Sequence, residues 1–179
     1  MRVLFILILS FLSFSATADE GKEVSCNFVQ TKKSAMFAEA MVSHGKMYFC
    51  YPDKVRWEYT TPVHTIFIMN GQEAAMINEQ GRKKKMDIAR NGLFRSITDI
   101  ISAGMNDSGD RYEIERNGNI MVMKPLRSDM KKVFDTITIT FGPSDIPVSV
   151  HISEKNGDST IIEFTQISTS VDDKSVFNY

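Results

Sequence analysis

The chain has 179 residues, 42% of them apolar and 24% charged, and its 21 basic and 22 acidic side chains leave a net charge of −1. Near-neutrality removes the electrostatic case for a nucleic-acid partner, because phosphate binding needs a basic excess. The length suits one domain with a real hydrophobic core, and nothing after the N-terminal segment approaches a membrane-spanning run.

Residues 1–18 read as a secretory signal. Arg2 is a minimal positive start, Val3 to Phe14 is an apolar stretch of signal length, and Ala16-Thr17-Ala18 offers a small-residue cleavage site before acidic Asp19-Glu20. Cleavage after Ala18 leaves residues 19–179 as a single domain, with the net charge taken from −1 to −2 by the loss of Arg2. An uncleaved anchor fits less well. Lipid attachment at Cys26 is rejected, because Glu23 stands where a lipidation site wants an apolar residue.

Val24 to Lys33 is the first predicted strand. Ser34 to Val42 is a connection in which Met36, Phe37 and Met41 make loose apolar contacts. The stretch from His44 to Tyr59 then organises the chain. Two short strands meet at Pro52-Asp53, where proline presets a turn angle and Asp bonds its own backbone. Their alternate positions are strongly apolar: Met47, Phe49 and Tyr51 on one run, Val55, Trp57 and Tyr59 on the other. Lys46, Arg56 and Glu58 lie on the opposite face. Such an aromatic face needs a cover.

Thr65 to Met69 is apolar on both faces, which predicts a central strand covered twice. Asn70-Gly71 signals a hairpin, both positions tolerating positive φ, and Gln72 to Ile77 returns. Arg82-Lys83-Lys84-Lys85 reads as a solvated edge strand kept soluble by its charge, in preference to a patch for an anionic partner. From Asp87 to Met105 the period becomes helical: Leu93, Phe94, Ile97, Ile100 and Ile101 recur on one face, Asn91 caps the start and Gly104 the end. Arg111 to Glu115 and Ile120 to Lys124 form a hairpin about Asn117-Gly118. Pro125 to Lys132 is a charged connection. Val133 to Phe141 alternates Val133, Asp135, Ile137, Ile139 and Phe141 against threonines. Val148 to Ile152 and Thr160 to Ser168 close the series around Asn156-Gly157. About ten strands joined by hairpins, with one helix inserted after the fifth, predict a mainly β, antiparallel meander that curls around something.

Cys26 shares the apolar face of Val24 and Phe28, whereas Cys50 lies opposite Phe49 and Tyr51. Their side chains then point to opposite sides of the sheet, which argues against the disulfide that two cysteines in an exported chain would otherwise suggest. The three histidines lack metal-ligand spacing, and there is no nucleophile elbow, phosphate loop or dinucleotide fingerprint. No catalytic residue, metal or cofactor is nominated, and a non-enzymatic protein is expected. Ten methionines after Met1 suit either plain gap-filling in a core or an apolar surface that adapts to varied partners.

Phe28-Val29-Gln30, Gly45, Tyr51-Pro52, Arg56-Trp57-Glu58-Tyr59, Pro62 and Asn70-Gly71, followed more faintly by Asn117-Gly118 and Phe141-Gly142, resemble the LolA outer-membrane lipoprotein carrier family. The resemblance implies an open half-barrel with a lid of short helices over an apolar cavity. It implies a periplasmic location in a Gram-negative bacterium and a monomer that carries acylated lipoproteins, or another lipid-tailed cargo, from an inner-membrane transporter to an outer-membrane receptor. It assigns Phe28, Met47, Phe49, Tyr51, Val55, Trp57 and Tyr59 to the cavity wall and Leu93, Phe94, Ile97 and Ile101 to the lid. An alternative on the same half-barrel is a periplasmic sensor or interaction domain. Three departures stand out: Tyr51 replaces an arginine that ties the lid shut in well-studied carriers, little chain precedes the first strand, and the sequence stops at Phe177-Asn178-Tyr179 without the added C-terminal segment of some carriers.

Overall fold

The structure, a computed structural model, describes residues 23–36, 39–50, 53–86, 112–143 and 146–178. The predicted signal segment, Phe37, Tyr51, Pro52 and the predicted helix with Leu93, Phe94, Ile97 and Ile101 lie outside the described residues. Eleven strands are formed: β1 (Glu23–Lys33), β2 (Met41–Cys50), β3 (Lys54–Thr61), β4 (Thr65–Asn70), β5 (Glu73–Ile77), β6 (Lys83–Met86), β7 (Tyr112–Asn117), β8 (Ile120–Pro125), β9 (Phe134–Phe141), β10 (Pro147–Glu154) and β11 (Ser159–Ser168). A single helical turn, α1 (Ser128–Lys131), precedes β9, and a 3-10 turn (Lys174–Phe177) follows β11.

All strands join one antiparallel sheet in the order β6-β5-β4-β3-β2-β1-β11-β10-β9-β8-β7. The first and last strands pair in the middle, and the middle of the chain supplies both edges. The sheet is therefore an open half-barrel, parted where the segment between β6 and β7 is inserted. The expected meander is present, with eleven strands where ten were counted. The basic run forms the solvated edge strand expected of it, with Lys83, Lys84 and Lys85 exposed on β6. Charge on an edge disfavours pairing with foreign chains.

The turns differ by one residue from the expected form. Asn70 pairs with Glu73, and Asn117 with Ile120, so the loops are Gly71-Gln72 and Gly118-Asn119. Only the glycines take positive φ, at 62° and 57°. Glycine at the first central position is the arrangement of a type II′ turn, which like type I′ follows the right-handed strand twist.

Period-two alternation divides the sheet into two faces. The concave face gathers one cluster that includes Cys26, Phe28, Met47, Phe49, Val55, Trp57, Tyr59, Phe67, Met69, Ile139, Val150, Ile162 and Phe164. Two expectations for it fail. Met36 and Met41 make no core contact; they are 86% and 53% exposed. Val133 is 44% exposed, and Phe134 takes the buried place at the start of β9 because the β9–β10 register shifts between Ser153 and Glu154. A shift of one residue exchanges the two faces.

β4 is covered on both faces as expected, but it lies third from an edge rather than centrally. Phe67 and Met69 face the concave cluster. Ile66 and Ile68 face outward and are buried together with Ala75, under the C-terminal segment that carries Val171 and Phe177. That segment is fastened by Val171 N–H to Glu23 Oε2 (3.0 Å), by Ser25 Oγ to the Ser170 carbonyl (2.9 Å), by Arg56 Nη1 to the Val176 carbonyl (3.3 Å), and by a Lys174–Glu23 ion pair.

Candidate functional site

The aromatic hairpin forms as the alternation requires. β2 and β3 pair so that Met47 faces Trp57 and Phe49 faces Val55, while Met47 also faces Cys26 on β1 and Trp57 faces Phe67 on β4. One row of the concave face thus runs Phe67, Trp57, Met47, Cys26. The next runs Tyr59, Gly45, Phe28, Phe164.

Gly45 explains how Phe28 reaches the hairpin. A Cβ at Gly45 would collide with the Glu58 carbonyl oxygen and with the Phe28 ring. With no side chain there, the ring lies across β2 and stacks on Trp57, centroids 4.0 Å apart and planes 24° apart. Tyr59 meets Phe28 edge-on at 5.3 Å and 90°, and Trp57 at 6.2 Å and 66°. Offset-stacked and edge-to-face pairs suit the ring quadrupoles, with about 0.5–1.5 kcal/mol per pair beyond area burial.

Polar atoms punctuate this face. The Tyr59 hydroxyl donates to Gln30 Oε1 at 2.8 Å, both side chains being buried. Burial pushes the Tyr59 phenol up to about 12, against the opposing influence of the Trp57 N–H and Gln30. Trp57 Nε1 points towards that hydroxyl, but is buried without an aligned acceptor among the described residues. Cys26 is buried against Met47, and desolvation pushes its thiol up to about 12. It is not bridged to Cys50, whose Sγ lies 3.7 Å from Glu23 Oε1 on the other side of the sheet.

On the convex face Glu58 accepts from Arg56 Nε and Nη2 (2.9 and 2.8 Å), and its other oxygen meets His64 Nε2 at 2.9 Å. Burial raises the Glu58 pKa, but the hydrogen bonds and charges of His64 and Arg56 prevail and hold it below the usual carboxylate range. Among the described residues no group of three His, Cys, Asp or Glu side chains is placed to hold a metal, and no helix is long and apolar enough to cross a membrane.

Of the eleven residues singled out from the sequence, Phe28, Met47, Phe49, Val55, Trp57 and Tyr59 come together in one contiguous cluster. Tyr51, Leu93, Phe94, Ile97 and Ile101 lie outside the described residues. Gln30 was missed as a member of the face, although it continues the parity of Val24, Cys26 and Phe28. So was Gly45, whose role appears only once β1 is laid beside β2.

The sequence matches the family profile of the outer membrane lipoprotein carrier protein LolA over residues 20–179. The chain belongs to the LolA family. No curated protein matches it. Solved structures similar to this LolA-family chain include a LolA superfamily protein from Nitrosomonas europaea, at 8% identity with 88% of this chain and 90% of that one covered and a TM-score of 0.47. The Pseudomonas aeruginosa MucA/MucB complex matches at 10% identity, 90% and 57% coverage and a TM-score of 0.49. The Mycobacterium tuberculosis lipoprotein LppX matches at 10% identity, 83% and 88% coverage and a TM-score of 0.38.

Proposed function

We propose that this LolA-family protein is a periplasmic carrier that hides the acyl chains of lipoproteins, or of another lipid-tailed cargo, against its concave face. The observation that supports this most is the continuous apolar surface on one side of an unclosed sheet, with the Phe28–Trp57 stack at one end and Met121 and Met123 towards the other. An acyl chain in water costs about 0.8 kcal/mol per exposed methylene, and a shuttle must offset this reversibly. Aromatic rings supply area, and methionines adapt to chains of varied shape.

In this reading residues 1–18 direct export and are removed. Phe28, Met47, Phe49, Tyr51, Val55, Trp57 and Tyr59 form the wall of the site. Leu93, Phe94, Ile97 and Ile101 form a lid that lifts. Cargo comes from an inner-membrane transporter and passes to an outer-membrane receptor, and no catalysis is involved. Native mass spectrometry of the protein purified from periplasm, before and after addition of an acylated lipoprotein, tests this. A soluble one-to-one complex is expected, weakened by Ile97→Glu more than folding is. Neither bound lipid nor a complex would sink the carrier reading.

A further inference from the structure

The concave face is not apolar along its whole length. The inward positions of β1 run Cys26, Phe28, Gln30, Lys32, so polarity rises towards the end of the strand. Pairing brings further polar residues beside them. Ser43 of β2 stands opposite Gln30, and Thr160 of β11 stands opposite Lys32. The Tyr59 hydroxyl reaches across to Gln30. Glu154, at the end of β10, places Oε1 3.6 Å from Lys32 Nζ. Direct and diagonal same-face neighbours on adjacent strands lie within about 8 Å. Gln30, Ser43, Thr160 and the Lys32–Glu154 pair therefore share one polar recess beside the aromatic stack. Gln30, Ser43 and Thr160 are the buried polar residues among those described.

Buried polar groups in folded proteins almost always find partners, so those without one call for an explanation. Among the described residues, three side-chain atoms are buried with no hydrogen bond: Trp57 Nε1, Thr160 Oγ1 and Glu154 Oε1. Thr160 has no exposed surface at all. All three belong to this face; Thr160 and Glu154 lie at its polar end, and Trp57 in the row of Met47 and Cys26. Glu154 Oε1 still has the Lys32 ammonium nearby. The Trp57 N–H points towards the Tyr59 hydroxyl, whose lone pairs face it, so the threonine O–H is the donor at this end with no acceptor.

We propose that this recess receives the carbonyl oxygen of an acyl ester, the group that joins fatty chains to a lipid head, with the chains themselves laid on Phe28, Trp57 and the adjoining isoleucine rows. A carbonyl oxygen carries lone pairs and no proton, so it complements the unmatched Thr160 hydroxyl. Its place at the root of the acyl chains matches a polar recess at the margin of an apolar face. The inference rests on the carrier reading and goes further, in that it sets the direction in which cargo lies. Thr160 is the positioning donor. Lys32, held by Glu154, is the cation nearest the head.

The test uses the whole mature protein and two fluorescent lipopeptides of equal chain length, one with ester-linked chains and one a dialkyl ether that lacks the carbonyls. Wild type should bind the ester roughly fivefold to tenfold more tightly, as about one hydrogen bond implies. Thr160→Val should abolish the preference while leaving ether binding unchanged, and Thr160→Ser should keep it. A thermal melt checks that each variant folds, and Thr160→Val should melt no lower than wild type because it removes an unmatched buried hydroxyl. A short-chain phosphatidylcholine and its ether analogue form a second pair of probes. Ester preference in both pairs assigns the recess to the linkage in general, and preference for the lipopeptide alone assigns it to acylated protein. Equal binding of ester and ether by wild type overturns the recess and leaves the carrier reading standing. Binding of neither overturns both.

Discussion

Gly45 is the residue on which the aromatic site turns, and Gly45→Ala tests it. The backbone there is not in the left-handed region, so alanine brings no conformational strain. The whole effect is steric. The added methyl would meet the Glu58 carbonyl, part of the β3 backbone, and the Phe28 ring. The ring can move, but the carbonyl belongs to a strand fixed by its ladder, so β2 and β3 must part at the irregularity already present between His44 and Gly45. Overpacking of this kind costs about 1–3 kcal/mol. Displacing Phe28 from Trp57 and Tyr59 forfeits about 0.5–1.5 kcal/mol for each aromatic pair disturbed. A total of about 2–6 kcal/mol is expected, against a typical domain stability of about 5–15 kcal/mol.

Urea unfolding followed by Trp57 emission reads both consequences, since this is the chain's only tryptophan. The midpoint should fall, and the native emission should shift as the indole loses its stacked neighbour. Gly118→Ala is the complementary control. It has nothing within 4 Å of the added carbon but sits at φ 57°, so its cost, about 1–2 kcal/mol, is conformational, and Trp57 emission should not change. Phe28→Ala should cost about 3–5 kcal/mol alone, and Gly45→Ala should cost less on that background than in the wild type, because the ring is gone while the Glu58 carbonyl still meets the methyl. Additive effects, or an unchanged midpoint for Gly45→Ala, would refute the close approach of Phe28 to β2.

Three more outcomes follow from the geometry. Phe177→Ala should destabilise by about 3–5 kcal/mol, since the ring is buried against β3 and β4; a loss below 1 kcal/mol in urea titration would show that the C-terminal segment does not hold the convex face. Glu58 has a folded-state pKa below its unfolded value, so its stabilisation is complete above the unfolded pKa and is lost as pH falls through the folded one. Glu58→Gln should therefore be less stable than wild type at pH 7, with the gap closing in acid, and a gap that widens in acid would contradict the assignment. Cys26, with its thiol pushed up to about 12 and its side chain buried, should resist alkylation at pH 8 until the protein unfolds, while half-buried Cys50 labels in the native state; mass spectrometry of partly labelled protein distinguishes the two.

The hairpin of β2 and β3 was legible because alternation is a local signal and each apolar residue on it is large. The same rule separated Cys26 from Cys50 before any pairing was known. It failed at Phe134, where a register shift reverses parity and the sequence carries no mark of it. Met36 and Met41 were read as apolar contacts because residue type says nothing about whether a loop reaches the core. The turns were placed one residue early, since Asn-Gly favours type I′ until the strand ends are fixed by cross-strand bonds. Gln30 and Thr160 could not be brought together by inspection, because they are 130 positions apart and meet only through the pairing of the first strand with the last.

The C-terminal segment gives the sheet a property that its concave face alone would not. A sheet with one apolar side keeps its curvature through whatever fills that side, and the carrier proposal requires that side to empty and refill. Here Ile66, Ile68, Ala75, Val171 and Phe177 are buried on the convex side, separate from the concave cluster. Glu23 and Arg56 tie the segment down at two points, on β1 and β3. Glu58 fixes the Arg56 guanidinium from below through two hydrogen bonds, so the fastening is set by the convex face itself. Curvature across β1 to β4, the strands that carry Phe28, Met47, Trp57 and Phe67, is then braced from outside. Under the carrier proposal, the aromatic face would then lose its contents without losing its shape, which fits reversible loading of an open sheet.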